Sequence, residues 1–98
     1  MKSTSEYLLL LKQFKETKGK FYGIQKIGLF GSVARGEHKE GSDVDVCFEG
    51  DAIGLFRMAR LKGELEMLFG TTVDLLRMRK QLDGSMLKES VMRDIVYA

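Results

Sequence analysis

GLFGSVARGEHKEGSDVDV, residues 28–46, is the stretch on which the reading of this chain turns. Its apolar start belongs to a longer run, Ile24 to Phe30, that reads as a strand with Ile27 and Leu29 on one face. Gly31 to Ser42 follows as a loop, with a short helical turn over Ser32 to Arg35. Asp43 to Glu49 then reads as a second strand, in which Val44, Val46 and Phe48 alternate with Asp43, Asp45 and Cys47. Side chains two apart on a strand share a face, so Asp43 and Asp45 stand together, roughly 6.5–7 Å apart along the backbone. Such a pair repels itself, and a cation between the two carboxylates would relieve the repulsion.

The flanking sequence supplies helices. Ser3 and Glu6 have the spacing of a capping box, and Tyr7, Leu8, Leu11 and Phe14 continue as one apolar stripe to a stop at Gly19. Ala52 to Phe69 reads as a long helix whose apolar face holds Leu55, Met58, Leu61, Leu65, Leu68 and Phe69, with Met58 and Met67 expected in the core. Gly70 ends it, Thr71 to Arg77 reads as a third strand, and Ser85 caps a short helix to about Arg93. Ile95 to Ala98 fits either an edge strand or a continuation of that helix. The expected fold class is α/β (α+β), a small mixed β-sheet flanked by helices, as a single domain over 1–98.

Asp74 interrupts the apolar run of the third strand between Val73 and Leu75. A lone carboxylate amid strand residues needs a partner, because burying an unpaired charge is costly. If its strand lies beside the one carrying Asp43 and Asp45, the three acids converge. Magnesium suits such a set, being a hard ion that takes carboxylates, waters and phosphates. Gly31 then lets the backbone approach a ligand, and the Ser32 hydroxyl and the turn's N–H groups offer donors to a triphosphate.

Phe30-Gly31-Ser32 followed by Asp43-Val44-Asp45-Val46 resembles the signature of the DNA polymerase beta-like nucleotidyltransferase superfamily. The fuller form GSVARG…SDVDV is similar to the minimal nucleotidyltransferases that are paired with HEPN-domain proteins, and the resemblance runs from about Ile24 to Leu76. It implies a nucleotidyltransferase-like core and magnesium-dependent transfer of a nucleoside monophosphate, AMP from ATP, to an acceptor. It assigns Gly31 and Ser32 to the triphosphate, Asp43 and Asp45 to metal, and Asp74 to metal and acceptor activation, with two magnesium ions. Arg35 joins the phosphate-binding group as a candidate, against a reading as a surface residue that shapes the loop. The resemblance further implies an antitoxin that adenylylates a tyrosine of a HEPN ribonuclease toxin. Larger relatives carry a second, mostly helical domain; a chain ending at Ala98 leaves no room for one, so either a partner protein completes the site, or the site works loosely, or activity is lost. The competing reading is a non-catalytic binding module that neutralises a partner by covering it, docking through the Tyr7, Leu8, Leu11, Phe14 stripe or the C-terminal segment.

The remaining signals are quieter. Ser32 lacks a nearby base for a nucleophile's role, since the one histidine, His38, falls in a polar loop and reads as solvated. Cys47 reads as a buried structural thiol, poorly suited to a hard-ion site. Arg77, Arg79 and Lys80 form either a solvated edge or a hold on phosphate or an acidic partner. The net charge of +2 is scattered along the chain and does not by itself argue for nucleic-acid binding, so none is expected. No apolar run reaches the ~18–20 residues of a membrane span, and one cysteine allows no internal disulfide, so a cytoplasmic location is expected. Homo-oligomerisation stays open.

Overall fold

The computed structural model describes residues 1–79 and 82–98. Its elements run α1 (Thr4–Lys18), β1 (Ile24–Phe30), α2 (Gly31–Arg35), β2 (Val44–Gly50), α3 (Gly54–Phe69), β3 (Val73–Arg77), α4 (Met86–Asp94) and β4 (Val96–Tyr97). The C-terminal segment is thus an edge strand, not more helix. The sheet order is β3-β2-β1-β4, with β2 and β3 parallel and β1 antiparallel to both of its neighbours.

The period-2 pattern of β2 divides the interior in two. Val44, Val46 and Phe48 face the main core, where α1 contributes Tyr7, Leu11 and Phe14 and α3 contributes Leu61, Leu65 and Phe69. Cys47 faces the other way, into a smaller cluster with Met78 and Val91 beneath α4. Burial, then the charge of Glu49, pushes its thiol up to about 12, as expected of an inert structural cysteine.

Several expectations are corrected. Leu55 is 81% exposed and Met67 87% exposed, so neither belongs to the core. A straight helix on a sheet buries only one stripe, and Leu61, Leu65 and Phe69 fill it. His38 is not a solvated loop residue: it is half-buried, its Nε2 lies 2.7 Å from the Lys2 carbonyl, and its ring meets Tyr7 edge-on. The expected stop at Gly19 holds: it caps α1, its N–H donating to the Lys15 carbonyl at 2.9 Å. Of the Arg77, Arg79, Lys80 cluster, Lys80 lies outside the described residues, while Arg77 donates to the Gly50 carbonyl at 3.2 Å. Among the described residues no helix is long and apolar enough to cross a membrane.

The capping box at Ser3 is formed in both directions, with Glu6 N–H donating to Ser3 Oγ and Ser3 N–H to Glu6 Oε1. Ser3→Ala is therefore expected to cost about 0.5–2 kcal/mol, read as a fall in the urea midpoint with no change in slope. An unchanged midpoint would show that tertiary packing alone holds the helix start.

Candidate active site

One row of the sheet carries the candidate chemistry. Phe30 of β1 pairs with Asp45 of β2, and Asp45 pairs with Asp74 of β3. The parallel β2–β3 register places the two acids side by side on one face. Asp45 is half-buried and Asp74 exposed. Burial first, then the charge and hydrogen bond of Asp74, then the charge of Asp43, push the Asp45 carboxyl up to about 6, and Arg35 opposes the shift. A carboxyl this costly to ionise at neutral pH marks a place where positive charge would be welcome.

Gly31 borders the same acid. Its φ is +68°, and a Cβ built on it would fall 2.1 Å from Asp45 Oδ2. The turn and the carboxylate therefore fit together only because residue 31 has no side chain. Ser32 follows in α2, half-buried, and its carbonyl accepts from the Glu37 N–H at 2.9 Å, closing the loop's first turn. Arg35 stands near enough to influence Asp45, but its guanidinium is engaged by Asp94 at 2.6 Å and Glu37 at 2.9 Å. The Asp94 contact, which ties α4 to the loop, carries no signal in the sequence.

Asp43 departs from the expected convergence. It lies one residue ahead of β2, exposed, and its Oδ1 accepts a hydrogen bond from Thr72 Oγ1. Among the described residues no three His, Cys, Asp or Glu side chains gather closely enough to cage an ion. Asp45 and Asp74 stay paired across the sheet, whereas Asp43, one position outside the strand, is turned to the Thr72 hydroxyl. The donor set still suits magnesium, being all carboxylate oxygen with a glycine turn opening beside it. A cavity of about 320 Å³ adjoins the site at Ser42 and Thr71, with Lys2 and Lys39 on its walls. A groove of about 440 Å³ between α1 and α3 is lined instead by apolar residues such as Leu10, Phe14 and Leu68, remote from the acids.

The nucleotidyltransferase domain family matches residues 10–98. The chain belongs to that family. It is a nucleotidyltransferase by descent, and its mixed sheet is the family's core fold. Among its relatives, the protein adenylyltransferase MntA of Thermococcus cleftensis is 40% identical over 90 residues, covering 91% of this chain and 88% of that protein. Two solved structures share the fold at lower identity. One is a toxin–antitoxin structure with AMP-PNP, with a TM-score of 0.73, 24% identity, and coverage of 90% of this chain and 70% of that one. The other is a tri-AMPylated Shewanella oneidensis HEPN toxin in complex with MNT antitoxin, with a TM-score of 0.66, 20% identity, and coverage of 96% and 70%.

Proposed function

We propose that this nucleotidyltransferase moves AMP from ATP to a tyrosine hydroxyl of a HEPN-type toxin in a magnesium-dependent reaction, and so acts as that toxin's antitoxin. The observation that carries the reading is the side-by-side pairing of Asp45 and Asp74 beneath the Gly31 turn. The relative named as a protein adenylyltransferase and the fold neighbours with AMP-PNP or an AMPylated toxin support the choice of donor and acceptor.

Asp43, Asp45 and Asp74 would hold magnesium, which supplies neutralisation of the triphosphate and of the carboxylates themselves. Gly31 and Ser32 receive the triphosphate with backbone N–H groups and the Ser32 hydroxyl. Arg35 exchanges part of its pairing with Glu37 for phosphate oxygen. The acceptor oxygen attacks the α-phosphorus in line, the bond to the bridging oxygen breaks, and pyrophosphate leaves. The Asp74 carboxylate takes the acceptor proton as the new phosphodiester forms.

Intact-mass spectrometry of the partner, after incubation of the two proteins with ATP and magnesium, is expected to show a gain of one or more AMP units. An unmodified partner held in a tight complex would overturn the transfer reading and favour neutralisation by binding alone.

A further inference from the structure

Resting on the magnesium reading of Asp43 above, a neighbouring side chain gains a role. Asp43 lies outside β2, so the strand does not fix its rotamer. Thr72 lies equally outside β3, and the Val44–Val73 pairing sets positions 43 and 72 next to each other. Three contacts extend the β2–β3 pairing past the strand ends. Val44 N–H donates to the Thr72 carbonyl at 2.9 Å, Thr71 Oγ1 to the Ser42 carbonyl at 3.5 Å, and Thr72 Oγ1 to Asp43 Oδ1. The threonine segment is itself anchored, since Glu66 Oε2 of α3 accepts from the Val73 N–H at 3.0 Å.

We infer that Thr72 is a positioning residue for nucleotidyl transfer: its hydroxyl occupies Oδ1 of Asp43, fixes that carboxylate against β3, and leaves Oδ2 as the oxygen offered to the cation. An exposed aspartate without this bond would have to give up rotamer freedom each time it ligated magnesium. It would also lose the hydrogen bond that orients it. Partners of this kind, behind metal-ligating carboxylates, carry a ~10- to 100-fold share of metal affinity.

The test is a titration of magnesium at saturating AMP-PNP, read as the ligand-induced rise in melting temperature, alongside the magnesium dependence of AMP transfer. Thr72→Val keeps the side chain's shape and removes the hydroxyl. It is expected to raise the half-maximal magnesium concentration ~10-fold or more in both readouts. The magnesium-free melting temperature should hardly change. Thr72→Ser restores the hydroxyl and should restore the magnesium dependence. In an Asp43→Asn background, Thr72→Val should add little further loss, because the two act as a unit. A Thr72→Val protein with an unchanged or lower magnesium requirement overturns the inference, the second outcome meaning that the hydroxyl holds Asp43 away. Full magnesium response in Asp43→Asn alone would instead overturn the metal assignment of Asp43, whatever Thr72 does.

Discussion

Asp45→Asn is expected to reduce nucleotidyl transfer by ~10³-fold or more, because the loss of one ligand and one charge removes several kcal/mol of transition-state stabilisation. The same change is expected to stabilise the magnesium-free protein near neutral pH. Asp45 is half-buried, pairs across the sheet with Asp74, and has its carboxyl pushed up to about 6, first by burial and then by Asp74. The folded state therefore holds the Asp45 proton more tightly than the unfolded chain does. The stability linked to that proton is fully present below about pH 4 and is lost as pH rises through about 6. An asparagine is neutral throughout and can donate to Asp74, so it avoids the loss. After allowance for solvent screening, the gain is about 1–2 kcal/mol at about pH 7, or a rise of about 4–15 °C in a domain of this size. Below about pH 4 the two proteins should melt alike. Magnesium with AMP-PNP should raise the wild-type melting temperature and leave that of Asp45→Asn nearly unmoved. The opposite signs matter: a residue kept for structure loses stability when replaced, whereas here stability rises as activity falls. A variant that melts lower than wild type near neutral pH while retaining transfer would end the assignment.

The parts of this site differ in how far they could be read from residues alone. The alternation of Val44, Val46 and Phe48 with Asp45 and Cys47 reports the two faces of β2, because strand geometry obliges it. The capping box at Ser3 and Glu6 is equally local, and it formed. Asp74 was legible as an acid in an apolar strand, but its place opposite Asp45 depends on β3 joining the sheet parallel to β2 in one register. That register is set by long-range packing and leaves no local mark. The contacts that hang on it were accordingly missed: Thr72 with Asp43, and Arg35 with Asp94. The apolar count of α3 also misled. Leu55 and Met67 fit a broad hydrophobic face, yet the helix meets the sheet along a narrower line, and both lie in solvent.

Gly31→Ala is expected to damage stability and transfer together, and a second glycine allows the two effects to be separated. Gly31 has φ +68°, a left-handed conformation that costs an alanine about 1–2 kcal/mol. Its new methyl would also lie 2.1 Å from Asp45 Oδ2, closer than atoms can stand, and a tight 3.1 Å from Asp45 Cγ. Either the turn or the Asp45 carboxylate must move, and Asp45 has Asp74 as its neighbour across the sheet. Displacement of a reacting group by about 1 Å is enough for a ~10²-fold loss. Gly36, at the far end of α2, has φ +72°, but a methyl there would find nothing nearer than Thr4 Oγ1 at 4.0 Å. Gly36→Ala thus carries the same backbone strain without the collision. Both variants should lose about 1–2 kcal/mol from strain, with Gly31→Ala losing more. Only Gly31→Ala should lose ~10²-fold or more in transfer and in its melting response to magnesium with AMP-PNP. Were Gly36→Ala to lose transfer as severely, the effect of Gly31 would be one of loop strain, and its close approach to Asp45 would have no special place in the chemistry. Were Gly31→Ala to keep its activity, the turn would not be where the triphosphate meets the acids.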